Sequence, residues 1–231
     1  MISEILAPQL RRLGVEYTDA QLETLEKFST LLLEKNAVMN LTAITEPREV
    51  ALLHFADSGV PTLFAPEGAS VIDVGTGGGF PGVPMAVLRP DLRVTLFDSL
   101  QKRIDFLSES CEMLGIDCAC VHGRAEEAGQ GAMRESFDLC VSRAVARLDM
   151  LSELCLPLVR VGGAFIAMKS AHAEEELAAA EETVKALGGE VEKSYDYDLG
   201  ESVHRLYVIR KVSPTPEKYP RRWAKIKKSY G

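Results

Sequence analysis

The sequence predicts an α/β fold: a seven-stranded, mostly parallel sheet with an antiparallel hairpin at its C-terminal end and a helical extension at its N-terminus. Three observations carry this. From Ser70 onward, short apolar runs alternate with helical stretches, the pattern of a parallel sheet covered on both faces. The last two strand candidates have only the loop DLGESV (198–203) between them, too short for a crossover, so they pair antiparallel. Before Ser70 the periodicity is helical throughout.

The elements follow in order. Thr18 with Gln21 forms a capping-box pattern, after which Leu22, Leu25, Phe28, Leu32 and Leu33 recur at helical spacing. NAVMNLTAIT (36–45) is a polar, turn-prone connection. Thr45 before Pro47 is a second helix start, with Val50, Leu52, Leu53 and Phe55 beyond it. Strands are expected near 70–74, 93–98, 117–121, 137–142, 162–169, 190–197 and 204–211. Helices are expected near 81–89, 100–114, 148–159 and 172–188. The chain divides into an N-terminal helical extension (1–65), a sheet domain (66–212) and a basic C-terminal tail (213–231).

With 231 residues, 46% hydrophobic and 26% charged, the chain can bury a substantial core. Its longest apolar runs, such as 162–168, fall far short of the roughly 20 residues a membrane span needs, and the first residues lack a basic start leading into an apolar core. A cytoplasmic monomer without membrane contact is the expectation. Five cysteines include no CxxC pair, which points to buried, reduced thiols; strand alternation places Cys118 and Cys120 on one face. His54, His122, His172 and His204 lack metal-ligand spacing, so no metal is expected.

A net charge of −8 argues against a protein that coats nucleic acid indiscriminately. The balance is uneven, however. Residues 210–231 hold eight cations and one acid, a local +7 on a body of −15.

The densest chemical signal is DVGTGGGFPG (73–82), a glycine-rich turn between the first sheet strand and its helix. In such sheets the ligand crevice lies beyond the carboxyl ends of the strands, and glycine lets a ligand approach the main chain. Two registers compete. Gly77, Gly79 and Gly82 satisfy the GxGxxG of nicotinamide and flavin enzymes. Asp73, Gly75, Gly77 and Gly79 instead give acid-x-G-x-G-x-G, which is similar to the S-adenosylmethionine loop of Rossmann-like methyltransferases. The carboxylate of Asp73 would repel a pyrophosphate, whereas a sulfonium cofactor presents positive charge. Asp98, closing strand two in VTLFDS, can accept hydrogen bonds from both ribose hydroxyls of either cofactor, or cap the following helix. GRAEE (123–127) follows strand three, where Ala125 and Glu126 could face an adenine. A nicotinamide oxidoreductase and a non-catalytic nucleoside- or RNA-binding module remain as alternatives.

Several stretches together resemble one family, the RsmG (GidB) methyltransferases of bacterial small-subunit ribosomal RNA. They are MNLTAI (39–44), HFADS (54–58), DVGTGGGFPGVP (73–84), LFDSLQKRIDFL (96–107), FDLCVSRAVA (137–146) and TPEKYPRRWAKIKK (215–228). The family's loop often carries alanine or proline where Gly78 stands. The resemblance implies a Rossmann-like class I methyltransferase fold and methyl transfer from S-adenosylmethionine to N7 of a guanine in 16S rRNA, nucleotide 527 in standard rRNA numbering. The substrate would be the rRNA itself, an assembly intermediate or the small subunit.

Cofactor contacts implied on this chain are Gly75 and Phe80 in the loop, with Asp73 and Gly77 from the residue reading, then Asp98, Ser99, Leu100, Ala125, Glu126 and Arg143. Candidates for the transfer itself are Arg143, Lys169 and Asn40; RNA-side candidates also include Lys102 and Arg205. Guanine N7 carries an in-plane lone pair and no proton, so attack on the methyl needs no general base. Arg143 lies just past strand four, at the catalytic corner of such a sheet, although an arginine there can equally pair with a neighbouring acid. Arg143→Ala is expected to abolish methylation with the fold retained. Lys169 ends strand five, and Asn40 could simply shape its turn. In the tail, Lys218, Arg221, Arg222, Trp223 and Lys225 interleave cations with an aromatic, which suits phosphate contact with base stacking in a segment that orders on RNA.

Overall fold

The computed structural model describes residues 1–143, 146–170 and 174–230. Its sheet contains β1 (Ser70–Val74), β2 (Arg93–Asp98), β3 (Cys118–His122), β4 (Phe137–Arg143), β5 (Val159–Ser170), β6 (Gly189–Leu199) and β7 (Ser202–Lys211). The order is β3-β2-β1-β4-β5-β7-β6, parallel through β5, with β7 inserted antiparallel between β5 and β6. The central strands read as near-continuous apolar runs because helices cover both faces; every β1 residue from Val71 to Val74 is buried.

On one face pack α1 (Ser3–Arg12), α2 (Asp19–Met39), α5 (Gly82–Leu88) and α6 (Gln101–Leu114); α8 (Leu148–Cys155) and α9 (Glu174–Ala186) cover the other. The capping box at α2 is formed in both directions, Thr18 Oγ1 accepting from the Gln21 amide and Gln21 Oε1 from the Thr18 amide. The next helical run starts with α3 (Pro47–Glu49), capped by Glu46 and not by Thr45, because the Glu46 carboxylate reaches the Arg48 amide. It continues as a π-helix (Val50–Ala56), α4 (Asp57–Gly59) and a 3-10 turn (Val60–Phe64). These N-terminal helices share the sheet's core: Leu25, Phe28 and Phe55 are buried in one cluster with Val83, Leu96 and Leu107.

Two boundaries differ from the sequence pattern for reasons of local chemistry. The hairpin turn is residues 200–201 only, since Leu199 already pairs with Ser202 and Gly200 supplies the positive φ. Helix α8 ends at Cys155, not 159, because Pro157 cannot donate to a continuing helix; a 3-10 turn (Leu156–Leu158) leads directly into β5. The expected start of α9 at 172 lies outside the described residues. A further helix, α10 (Trp223–Tyr230), occupies the C-terminal segment and packs on the α8 side of the sheet through the buried Ile226. A short α7 (Ala125–Ala128) follows β3.

Not every cation of the basic segment faces solvent. Lys211 is fully buried, its Nζ donating to Glu135 Oε1 at 2.9 Å and to the Leu156 and Val159 carbonyls at 2.9 and 3.0 Å. Burial lowers its pKa, and the Glu135 contact opposes that.

Candidate active site

The glycine loop is shaped by what lies beneath it. Gly75, Gly77 and Gly79 all have positive φ, and the Gly75 and Thr76 amides donate to the Phe97 carbonyl, which ties the loop to β2. Asp73 is 0% exposed. Its Oδ2 accepts from the Thr76 hydroxyl at 2.6 Å and the Gly82 amide at 2.8 Å, closing the loop on itself; its Oδ1 has no partner. Burial pushes this carboxyl up to about 7, against the lowering effect of those hydrogen bonds. Asp73 is therefore a loop-closing group under the main chain, which corrects the expectation that its carboxylate meets a cationic ligand directly.

Phe80 is likewise buried, its ring stacked on His54 with centroids 4.5 Å apart and set edge-on to Phe28 and Phe55. What Phe80 can offer a ligand is its main chain. A Cβ at Gly78 would lie 3.1 Å from Leu32 Cδ1, so the N-terminal helices form the back of the loop.

A cavity of about 230 Å³ opens beyond the carboxyl ends of β1, β2 and β3. Its polar wall is Asp98, Ser99, Arg124 and Glu126, with the Gly75 and Ala125 main chain; its apolar wall is Val74, Phe97, Leu154 and Trp223. The Asp98 carboxylate is fixed at both oxygens: Oδ1 accepts from the Leu100 amide (2.9 Å), and Oδ2 from the Gly77 amide (3.0 Å) and Arg103 Nη1 (3.2 Å). Asp98, Ser99, Ala125 and Glu126 thus line one cavity, and Gly77 and Leu100 join it through their amides on Asp98. Gly123 must be glycine for this, because a Cβ would sit 2.9 Å from the Phe97 ring.

Arg143 turns away from that cavity toward the N-terminal helices. Its Nη1 donates to Asp57 Oδ2 (2.8 Å) and the Leu53 carbonyl (2.8 Å), its Nη2 to His54 Nδ1 (3.1 Å), and its guanidinium lies 5.1 Å from the Phe80 ring centroid. Because Arg143 can only donate, His54 Nδ1 is the acceptor, and Nε2–H faces Thr42 Oγ1 at 2.7 Å. Burial, with the Arg143 charge, lowers His54 to about 4. Asp57 also accepts from Tyr197 OH (2.7 Å) and lies 3.0 Å from His204 Nδ1. Burial raises the Asp57 pKa, but the His204 hydrogen bond and the Arg143 charge more than offset it, so the carboxyl stays below its usual range. The pairing alternative for Arg143 is what the side chain adopts: it braces β4 against α4.

The other candidates have partners or exposure of their own. Lys169 pairs with Glu176 (2.7 Å) and donates to the Ala146 carbonyl; Arg205, its register partner across β5 and β7, pairs with Asp196. Asn40 is exposed and caps α2 in a left-handed conformation, the turn-shaping role. Lys102, Lys218, Arg222 and Lys225 are exposed. Arg221 is not available in the same way, since its guanidinium and amide hold Glu153, a carboxylate with 0% exposure.

Sequence reasoning missed Arg103, Arg124, Asp57 and Glu153. The last two had a signal: an acid inside an otherwise apolar helical run, VALLHFADSGV (50–60) and LSELCLPL (151–158). Among the described residues no cluster of metal-ligating side chains occurs, and no helix is long and apolar enough to cross a membrane. All five thiols are free; Cys118 and Cys120 share one face of β3 against Cys111.

The architecture is that of known methyltransferases. A SAM-dependent methyltransferase from Aquifex aeolicus superposes with TM-score 0.54 at 16% identity, covering 74% of this chain and 96% of that one. A TehB-like SAM-dependent methyltransferase from Corynebacterium glutamicum superposes at 0.50 with 20% identity, covering 67% and 86%. The fold is thus the Rossmann-like fold of S-adenosylmethionine-dependent methyltransferases.

The sequence is more specific. The family described as GidB, rRNA small subunit methyltransferase G, matches residues 21–201. Ribosomal RNA small subunit methyltransferase G of Alkaliphilus oremlandii is 46% identical over 233 residues, covering 98% of both chains. That of Staphylococcus aureus (strain bovine RF122) is 44% identical over 227 residues, covering 96% of this chain and 95% of the relative. The chain belongs to the rRNA small subunit methyltransferase G family. The nicotinamide reading of the glycine loop is thereby set aside.

Proposed function

We propose that the protein transfers a methyl group from S-adenosylmethionine to N7 of a single guanine in 16S rRNA, by direct in-line attack without a general base. The observation that carries the reading is the cavity beyond β1–β3, where the Asp98 carboxylate is held by two main-chain amides at one wall. Two acceptor oxygens fixed at that distance from a bare glycine loop suit the ribose diol of an adenosine, with Ser99, Ala125 and Glu126 on the base side. S-adenosylmethionine supplies an electrophilic methyl on a sulfonium.

The protein's work is then positioning, where alignment alone contributes up to roughly 7–11 kcal/mol. Proton transfer has no part in it, and the three described imidazoles fit that. His54 is neutral and buried behind the loop, His204 is held by Asp57, and His122 contacts the Ser99 carbonyl. Arg143 is a positioning residue: it backs Phe80 and hence the loop. On the RNA side, Lys102 and the exposed Lys218, Arg222 and Lys225 meet phosphates, with Lys169 and Arg205, paired in register across β5 and β7, as further candidates. Five exposed cations in the C-terminal segment, if all engaged, give a log-log salt slope of about −3 to −4.

The test is incubation with labelled cofactor and either naked 16S rRNA or small subunits, followed by mapping of the modified nucleotide. A single N7-methylguanine is expected. Incorporation at another atom, or none into either substrate, refutes the reading.

A further inference from the structure

Trp223 is the one tryptophan in the chain, and its place in a basic, proline-bearing segment reads as an RNA-stacking group. Its surroundings point elsewhere. The segment before α10 is bolted to the domain. Glu153, fully buried on α8, takes the Arg221 amide at 2.8 Å and its Nη2 at 2.6 Å, and Tyr230 OH at 3.0 Å from the far end of the helix. Gln130 Nε2 donates to the Pro220 carbonyl at 2.8 Å, and Arg134 Nη1 to the Tyr219 carbonyl at 2.8 Å. Two residues beyond Arg221, the indole is therefore set by the fold and cannot wander like a tail side chain.

The place where it is set is the apolar wall of the Asp98 cavity, beside Val74, Phe97 and Leu154. Arg124, which is tied to Glu126 at 2.6 Å, holds its guanidinium 5.6 Å from the indole centroid. The same indole, with Arg124 and Glu126, also borders a larger neighbouring cavity of about 990 Å³ that Lys218, Arg222 and Lys225 line. Trp223 is thus the partition between a small cavity with a fixed carboxylate and a broad basic one. It remains 38% exposed, so it spends apolar area on an opening rather than on the core.

We infer that Trp223 is a wall of the adenosine site, stacking or edging against the adenine of S-adenosylmethionine, and that the C-terminal segment is a fixed part of cofactor binding. This rests on the reading of the Asp98 cavity as the cofactor site. Aromatic contact with a base typically changes affinity by ~5- to 150-fold on alanine substitution.

Being the sole tryptophan, the residue reports on itself. The experiment titrates the purified full-length chain with S-adenosylhomocysteine, following tryptophan emission and its quenching by acrylamide, with calorimetry in parallel. The emission is expected to change along the calorimetric binding curve, and saturation to protect the indole from acrylamide. Trp223→Ala is expected to raise the dissociation constant at least ~5-fold, and Trp223→Phe to recover most of it. Calorimetric binding with silent emission, unchanged quenching and equal affinity in Trp223→Ala overturns the inference while leaving the cavity assignment intact. No calorimetric binding to the wild-type chain overturns the cavity assignment and the inference with it.

Discussion

Replacing Arg143 by alanine should unfold the protein more readily, and not only silence it. Among the described residues the guanidinium is the sole group paired with Asp57 Oδ2, in a carboxylate that is 3% exposed; Tyr197 and His204 both sit on the other oxygen. Removing it leaves a buried charge half compensated and takes a donor from the Leu53 carbonyl. Breaking one side of a buried pair costs about 3–5 kcal/mol. In a chain of this size each kcal/mol moves the melting temperature by roughly 2–4 °C, so a fall of roughly 6–20 °C is expected.

The compensating change is Asp57→Asn. In the Arg143→Ala background it removes the orphaned charge while keeping acceptors for Tyr197 and His204, so the double variant should be more stable than Arg143→Ala alone. Urea and thermal unfolding followed by circular dichroism supply the four corners of the cycle. Arg143→Ala melting within about 1 °C of wild type, or a double variant no better than the single, would refute the reasoning. Methylation by Arg143→Ala has diagnostic value only when assayed below its own melting point.

Three further outcomes follow from the same contacts. His54, held near 4, is neutral in the fold and protonates above that pH when unfolded, so its stabilisation is lost as pH falls from 6.5 to 4; Asp73, held near 7, contributes stability that is lost as pH rises from 3.8 to 7. The two slopes oppose one another between about pH 4 and 6.5, and replacing one should unmask the other: Asp73→Asn stability should climb with pH and His54→Gln stability should fall, each approaching about 1.4 kcal/mol per pH unit in urea titrations, whereas parallel wild-type and variant profiles would contradict the assignment. Asp98→Asn should weaken S-adenosylhomocysteine binding by at least roughly a hundredfold by calorimetry, from two lost charge-assisted hydrogen bonds of about 1.5–3 kcal/mol each, while Arg103→Ala, which leaves the Gly77 amide on Oδ2, should bind at least as tightly as wild type. Lys211→Met keeps the apolar stem but leaves Glu135 with the Thr215 amide and without its ion pair, and strands the Leu156 and Val159 carbonyls, so a loss of about 3–5 kcal/mol in denaturant unfolding is expected; an unchanged midpoint would show that the brace is dispensable.

The parts of this molecule legible from sequence are those set by local periodicity. The inner strands, buried on both faces, are apolar along most of their length and were visible for that reason, as was Asp98, an acid ending such a run; the edge strands β3 and β6 are not buried in that way. Turn chemistry and proline moved the ends: Pro157 stopped α8, and Gly200 shortened the hairpin loop to two residues. Pairings between charged residues were not legible, because they depend on how distant elements dock. Arg143 meets Asp57 86 residues away, and Arg221 meets Glu153 68 residues away. In both cases the basic member had been read as a ligand contact, since sequence displays a cation but not the acid that will satisfy it.

The glycine loop shows why this matters for function. Its most conspicuous residues, Asp73 and Phe80, act at one remove: the acid closes the loop from below, and the ring anchors it to His54 and Arg143 from behind. The front is left as bare main chain facing Asp98, which the Gly77 amide holds directly. Loop and Asp98 are thus one hydrogen-bonded unit, braced on its far side by helices that had read as an extension. A perturbation in α3 to α4, tens of residues away in sequence from the cavity, should therefore reach cofactor binding through the ring of Phe80 before it reaches the sheet.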